Sequence, residues 1–348
     1  MLHRSVFLIL LLLLTNLSVN AQKAKKLFQS DSILQFSLEM PLKTVANDTK
    51  ERKQHNAKLF YTQIDGTVVE HHIKVMVRGN SRTVKQICTF PPLRLTFNKA
   101  DTKNTIFRSQ KKIKLVTHCK NEKSYEEYIQ KEYLIYKLYQ KVTPYSFNVR
   151  LSEITYIDAD NPRKVNMHSG FLIEDIKALA KRNDVHVFKD TLRNQEVTNK
   201  EELDKLIMFQ YMIGNHDWSI AKMHNMKLVK GDKGSLPIAV PYDFDYCGLV
   251  DTPYALPPEG SHIEDVKTRD FRGFCRTNGY EKTINFYLSI QEDVLGVIEN
   301  ADFLTEKSRN SMTKYINGFY KNIKDPKYVA KKINKACRVK HKHAYETK

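Results

Sequence analysis

The stretch Gly214-Asn215-His216-Asp217-Trp218-Ser219 is polar around the chain's one tryptophan and follows an apolar run ending at Ile213. Downstream, Asn225-Met226-Lys227-Leu228-Val229 and Pro237 to Asp245 read as strands, with Gly231-Asp232-Lys233-Gly234 as the turn between them. Pairing those strands across the turn sets Asn225 near Pro241 to Asp243, at the open end of the hairpin, where the loop bearing Asp217 also enters. Asp217, Asn225, Asp243 and Asp245 therefore converge. Carboxylates so close repel one another unless a cation sits among them. Hard oxygen donors suit Mg²⁺ or Mn²⁺, ions that commonly bridge protein carboxylates to substrate phosphates. A carboxylate left unligated accepts the proton of an attacking hydroxyl. The chemistry this set suits is phosphoryl transfer, in which positioning and charge neutralisation supply most of the catalysis.

Those residues need a scaffold. Ser32 to Leu38, Lys58 to Tyr61, His71 to Val77, Leu93 to Phe97 and Ile113 to Val116 have strand patterns, with a polar loop expected over Thr44 to Asn56. The period then lengthens: Tyr125, Tyr128, Ile129, Glu132, Tyr133, Tyr136 and Tyr139 recur every three or four residues, a helix with an aromatic face. Two strands follow, Val149 to Ile157 and Ser169 to Glu174, and then a polar insertion or lid over Lys181 to Asn199. Thr198-x-x-Glu201 has the form of a capping box opening a buried helix that Gly214 closes. Two long helices are expected over Glu281 to Asn300 and Thr305 to Asn322. The order predicts an α+β protein in two lobes: residues 22–175 β-rich with one long helix, 176–330 mainly helical with the hairpin inserted, and a basic tail over 331–348. Clefts between lobes are preferred ligand sites.

Residues 1–21 read as a secretory signal peptide: a basic start, an apolar run from Val6 to Leu14 and small residues before a cleavage point at Ala21. An exported protein (periplasmic, cell-surface or secreted) with no transmembrane anchor after cleavage is the expectation. The five cysteines form no C-x-x-C pair, which argues against zinc and allows one or two disulfides with at least one thiol left over. With 57 Lys and Arg against 39 acids, the net charge of +18 favours anionic partners. The excess is scattered along the chain, so nucleic acid is not the expected partner.

Arg78-Gly79-Asn80-Ser81, Pro92 to Phe97, Gly170-Phe171-Leu172-Ile173-Glu174-Asp175, Gly214 to Ser219 and Asp243-Phe244-Asp245 resemble the ordered motifs of the CotH protein-kinase-like family, over about Ile73 to Gly273. The resemblance implies an atypical protein-kinase-like two-lobe fold, an activity moving the γ-phosphate of ATP with Mg²⁺ or Mn²⁺, and an extracytoplasmic protein or glycan acceptor. By position, Asp217 is similar to the catalytic-loop aspartate, Asn225 and Asp243 to the metal ligands, and Asp245 to an additional ligand. Glu174 would end the strand leading to the adenine. The chain departs from the pattern in three places: Thr96 stands where the family tends to have a basic residue, His216 stands where a small polar one is usual, and Asn225 lies further beyond Asp217 than in the common kinase loop. The phosphate-binding lysine is then expected to be Lys114, partnered by Glu127 or, on the aromatic face of the helix, Glu132. The competing reading is a catalytically inactive kinase-like protein serving in interaction or surface assembly.

Overall fold

In a computed structural model the chain is described for residues 26–189, 195–261 and 263–338. The expected signal peptide lies outside these residues, as do the end of the basic tail and part of the expected insertion. The fold is mixed α+β. Seven strands close into a barrel: β1 (Leu34–Met40), β2 (His55–Thr62), β3 (Val68–Val77), β4 (Leu93–Phe97), β5 (Lys112–Val116), β6 (Val149–Asp158) and β7 (Asn161–Ile173), in the order β1-β2-β3-β4-β5-β7-β6. Closure comes from β1, which pairs in parallel with β6 from Leu34 opposite Ser152 to Met40 opposite Asp158. Alternation puts Leu38, Leu59, Val75, Leu95, Ile154 and Leu172 into one apolar cluster inside the barrel. A short helix α1 (Leu42–Asn47) occupies part of the stretch expected as loop, and β2 begins before that stretch ends.

Helix α2 (Lys123–Val142) runs between β5 and β6 and buries the aromatic face read from its spacing, Tyr133, Tyr136 and Tyr139. Those rings belong to a second apolar cluster, shared with α3 (Ile176–Arg182), α4 (Lys200–Ile213), α5 (Glu281–Ser289), α6 (Gln291–Glu299) and α7 (Glu306–Ile323). The helix expected over Glu281 to Asn300 is thus two, broken at Ile290, which serves as C-cap of one and N-cap of the other. The cap of α4 also shifts by one residue. Asn199 accepts the Glu202 amide at 3.0 Å, while the Thr198 hydroxyl turns back to the Gln195 carbonyl. Gly214 closes α4 in the left-handed conformation at φ 65°, as its type and place predict.

The hairpin is β9 (Met226–Lys230) and β10 (Ile238–Pro241), with Pro241 opposite Met226. The Tyr242 amide continues the pairing onto the Asn225 carbonyl at 3.1 Å. Within the expected insertion a further strand, β8 (His186–Phe188), joins the outer edge of β9 to make a three-stranded sheet. Two disulfides join Cys88 to Cys119 and Cys275 to Cys337, and Cys247 is a buried thiol. Among the described residues no helix is long and apolar enough to cross a membrane. The disulfides fit an oxidising, extracytoplasmic setting.

Candidate active site

Strands β3 to β5 and the hairpin end enclose a cleft of about 880 Å³. Its barrel side follows from strand register. Alternation sends Leu93, Leu95, Ile113 and Leu115 into the core and leaves Arg94, Lys112 and Lys114 outward, with Arg94 directly opposite Lys114. Arg78, just past β3, and Lys227 on β9 complete a cationic wall. Among the described residues none of these five has a carboxylate ion partner.

The other side is acidic. After α4 the chain turns at Gly214, and Trp218, 4% exposed, anchors the loop by donating its indole N–H to the Asn215 carbonyl. The Asn215 side chain accepts the Asp217 amide at 3.0 Å. Asp217 stays half-buried in the cleft, its Oδ1 at 2.6 Å from His224 Nε2 and its Oδ2 accepting from Asn225 Nδ2 at 2.9 Å. Asn225 also donates to the Asp217 carbonyl, so its amide nitrogen serves to hold this loop. Asn225 and Asp243 both sit at positive φ, 52° and 65°, a conformation that asparagine and aspartate tolerate better than most L-residues.

Asp243 is fixed from α2, where the Tyr136 hydroxyl accepts its amide at 2.9 Å. Phe244 is fully buried, its ring 4.9 Å from Tyr136 and 6.0 Å from Phe209, which locks the Asp-Phe-Asp turn to two helices. Asp245 points inward, 4% exposed, and accepts the Tyr254 hydroxyl at 3.0 Å. One turn before Tyr136, α2 delivers Glu132, wholly buried. Ligand oxygens of Glu132, Asp243 and Asp245 lie within 4.8 Å of one another. Burial and the neighbouring Asp243 push Asp245 up to about 7, and burial with Asp245 raises Glu132 well above the ordinary carboxylate range. Neither Glu132 oxygen has a hydrogen-bond partner. A donor set of three carboxylates, two of them buried and one of those with orphaned oxygens, fits a hard divalent cation.

The partner of Glu132 is not the one expected. Arg82, 4% exposed, brings Nη1 to 3.7 Å from Glu132 Oε2 and donates from Nη2 to the Thr117 carbonyl at 2.6 Å. Glu127 instead accepts the Ser308 hydroxyl at 2.7 Å. Lys114 lines the cleft with Nζ 4.4 Å from the centre of the Tyr242 ring, and burial together with Arg78 lowers it to about 7. Glu174 is placed outside the cleft lining. Its carboxylate is buried against Arg182 Nε at 3.2 Å and the Asn148 amide at 3.0 Å, so it braces the segment after β7, while its neighbours Ile173 and Asp175 face the cleft.

The structure thus brings Asp217, Asn225, Asp243, Asp245 and Lys114 to one cleft, sets Glu132 beneath it, and turns Glu174 away. Sequence reasoning missed Arg82, Tyr136, Tyr254 and His224 as members. Arg82 directly follows the Arg78-Gly79-Asn80-Ser81 motif, but only the fold shows that it turns inward. A separate cavity of about 1020 Å³, bordered by Tyr133, Lys137 and Asp293, contains none of these groups. No protein-family profile matches the chain, and no curated protein matches it in sequence.

Proposed function

We propose that the chain is an exported kinase-like phosphotransferase, a two-lobed relative of the CotH family, which moves the γ-phosphate of ATP to a hydroxyl of an extracytoplasmic protein or glycan. The observation that carries this reading is the pairing of opposites across one cleft: a largely buried carboxylate trio beside Asp217 faces basic side chains that have no carboxylate of their own. Basic side chains clustered on one wall of a cleft focus the field there and raise the local concentration of an anionic ligand. Bound at Glu132, Asp243 and Asp245, Mg²⁺ or Mn²⁺ would supply neutralisation of phosphate charge. Arg78, Arg94, Lys112 and Lys114 then orient the phosphates. Asp217, kept in place by His224 and Asn225, takes the proton of the acceptor hydroxyl. Tyr136 and Tyr254 hold Asp243 and Asp245 in register with it.

Two observations favour the inactive alternative: Glu132 is engaged by an interior arginine, and Lys114 rests on a tyrosine ring. A thermal-shift titration with ATP and Mn²⁺, combined with transfer assays on candidate acceptors, separates the two. The enzyme reading expects Asp243→Ala to abolish metal-dependent nucleotide binding, and Asp217→Ala to keep binding while stopping transfer. Binding without transfer in the wild type, unchanged by Asp217→Ala, would favour the interaction protein. No shift at millimolar nucleotide would remove the nucleotide site altogether.

A further inference from the structure

The turn Arg78–Ser81 lines the cleft, and Arg82, the next residue, passes through the wall into the interior. There its guanidinium spans two elements, reaching Glu132 on α2 and the carbonyl of Thr117 just beyond β5. Its Nε has no hydrogen-bond partner, so those two contacts define its seat. The surroundings keep it there. Cys88 is bonded to Cys119, the Thr89 and Phe90 amides donate to the Cys119 carbonyl at 2.9 and 3.0 Å, and the Thr117 hydroxyl donates to the Phe90 carbonyl at 3.0 Å.

We propose that Arg82 is a positioning residue linking the two halves of the site, one that partly neutralises the carboxylate trio from below while anchoring the turn Arg78–Ser81 that meets phosphate from above. The inference rests on the proposed phosphotransfer reading and assigns to Arg82 the partnership with Glu132 that the sequence assigned to Lys114. It has a signature that a merely structural role lacks, because its two effects have opposite signs. A positive charge beside the trio competes with a divalent cation, so removing it strengthens cation binding. The same removal frees the turn Arg78–Ser81 that lines the cleft, so it weakens phosphate binding. A side chain that only supports the fold would, on removal, weaken both.

The test measures each ligand alone on the full-length protein: Mn²⁺ by electron paramagnetic resonance, and inorganic tripolyphosphate by calorimetry in EDTA. In Arg82→Met, Mn²⁺ binds at least about tenfold tighter, well within what one unit charge a few ångströms away supplies at an effective dielectric constant of about 20, and tripolyphosphate binds about tenfold weaker as Arg78 loses its placement. Arg82→Lys keeps the charge but cannot span Glu132 and Thr117 together, so Mn²⁺ affinity stays at the wild-type value and tripolyphosphate weakens. Weakening of both ligands in Arg82→Met, or no change in either, overturns the inference. If Arg82→Met does not fold, Arg82→Lys decides: wild-type tripolyphosphate affinity overturns it. A wild-type protein that binds neither probe removes the phosphotransfer reading and this inference together. Normal wild-type binding with parallel losses in the variants removes the inference alone.

Discussion

The two sides of the cleft are built in opposite ways. The cationic wall is a product of sheet register: Arg94, Lys112 and Lys114 point outward because their neighbours point inward, and the charges of Arg94 and Lys112 stay partly or fully in water. The acidic floor is a product of long-range packing, with Glu132 from α2 and the pair Asp243 and Asp245 from the chain after β10, largely buried together without a full set of hydrogen bonds. Charge on the wall costs little folding energy, whereas charge on the floor opposes folding and must be enforced by neighbours. Changes in what supports the floor should therefore cost stability, and changes on the wall should cost binding. The largest effect expected is at Phe244, whose ring joins the acidic turn to Tyr136 and Phe209. Phe244→Ala should lose about 3–5 kcal/mol in urea unfolding, while Lys112→Ala stays within about 0.5 kcal/mol. Comparable losses for the two would break the contrast.

The Cys88–Cys119 disulfide belongs with the floor, because the segment it closes carries Thr117, whose carbonyl accepts from Arg82. Its cysteines are 31 positions apart. Replacing both by serine should destabilise the chain by about 2–4 kcal/mol, read by denaturant midpoint under non-reducing conditions that keep Cys275–Cys337 intact. An unchanged midpoint would mean that the hydrogen bonds around Cys119 hold this loop without the covalent link.

Beside that disulfide, His118 offers a pH test. Its ring is buried, stacked on Phe90 at 4.9 Å and on His168 at 3.8 Å, and His168 in turn meets Glu126 at 2.9 Å. Burial first, then the charges of His168 and Arg82, lower His118 to about 3. The unfolded chain takes up that proton near 6.5, so between the two values it binds more protons than the native state. Stability must fall on acidification below about pH 6.5, with a slope of up to about 1.4 kcal/mol per pH unit from this one group. His118→Phe keeps the stack and should flatten that slope between pH 6.5 and 5. A slope unchanged by the substitution would assign the acid sensitivity to carboxylates elsewhere.

What was legible in the sequence divides along the same line. Local periodicity sufficed for most barrel strands, for α2 and its aromatic face, and for the hairpin that sets Asn225 beside Tyr242. From the hairpin came the convergence of Asp217 with Asp243 and Asp245. Closure of the barrel was not legible, because the parallel pairing of β1 with β6 leaves no turn signal between its partners. Nor were the roles of single charged residues: Arg82 and Glu132 meet across unrelated elements, and Glu174 is turned toward Arg182 by a contact with α3. The break at Ile290 and the small strand β8 depend on tertiary neighbours more than on propensity. Alternation and spacing show which face a residue takes; which partner it meets there is decided by packing.

Lys114 gives the smallest and most discriminating measurement, since it lies on the wall yet is the wall residue most affected by burial. Lowered to about 7, it is mostly neutral in the free cleft at pH 8. Phosphate arriving beside it favours the charged form, so tripolyphosphate binding at pH 8 should take up close to one proton, and the affinity should rise as pH falls toward 7. Calorimetry in two buffers of different ionisation enthalpy measures that uptake directly. Lys114→Met should abolish it and weaken binding about fivefold to tenfold, equivalent to about 1–1.4 kcal/mol, with the urea midpoint unchanged or slightly higher because a poorly solvated amine has been removed. If binding takes up no proton in the wild type, Lys114 does not meet the anion, and the phosphate contacts fall to Arg78 and Arg94. If Lys114→Met instead lowers the urea midpoint as far as Phe244→Ala does, the wall is as much a product of packing as the floor, and the distinction between the two sides fails.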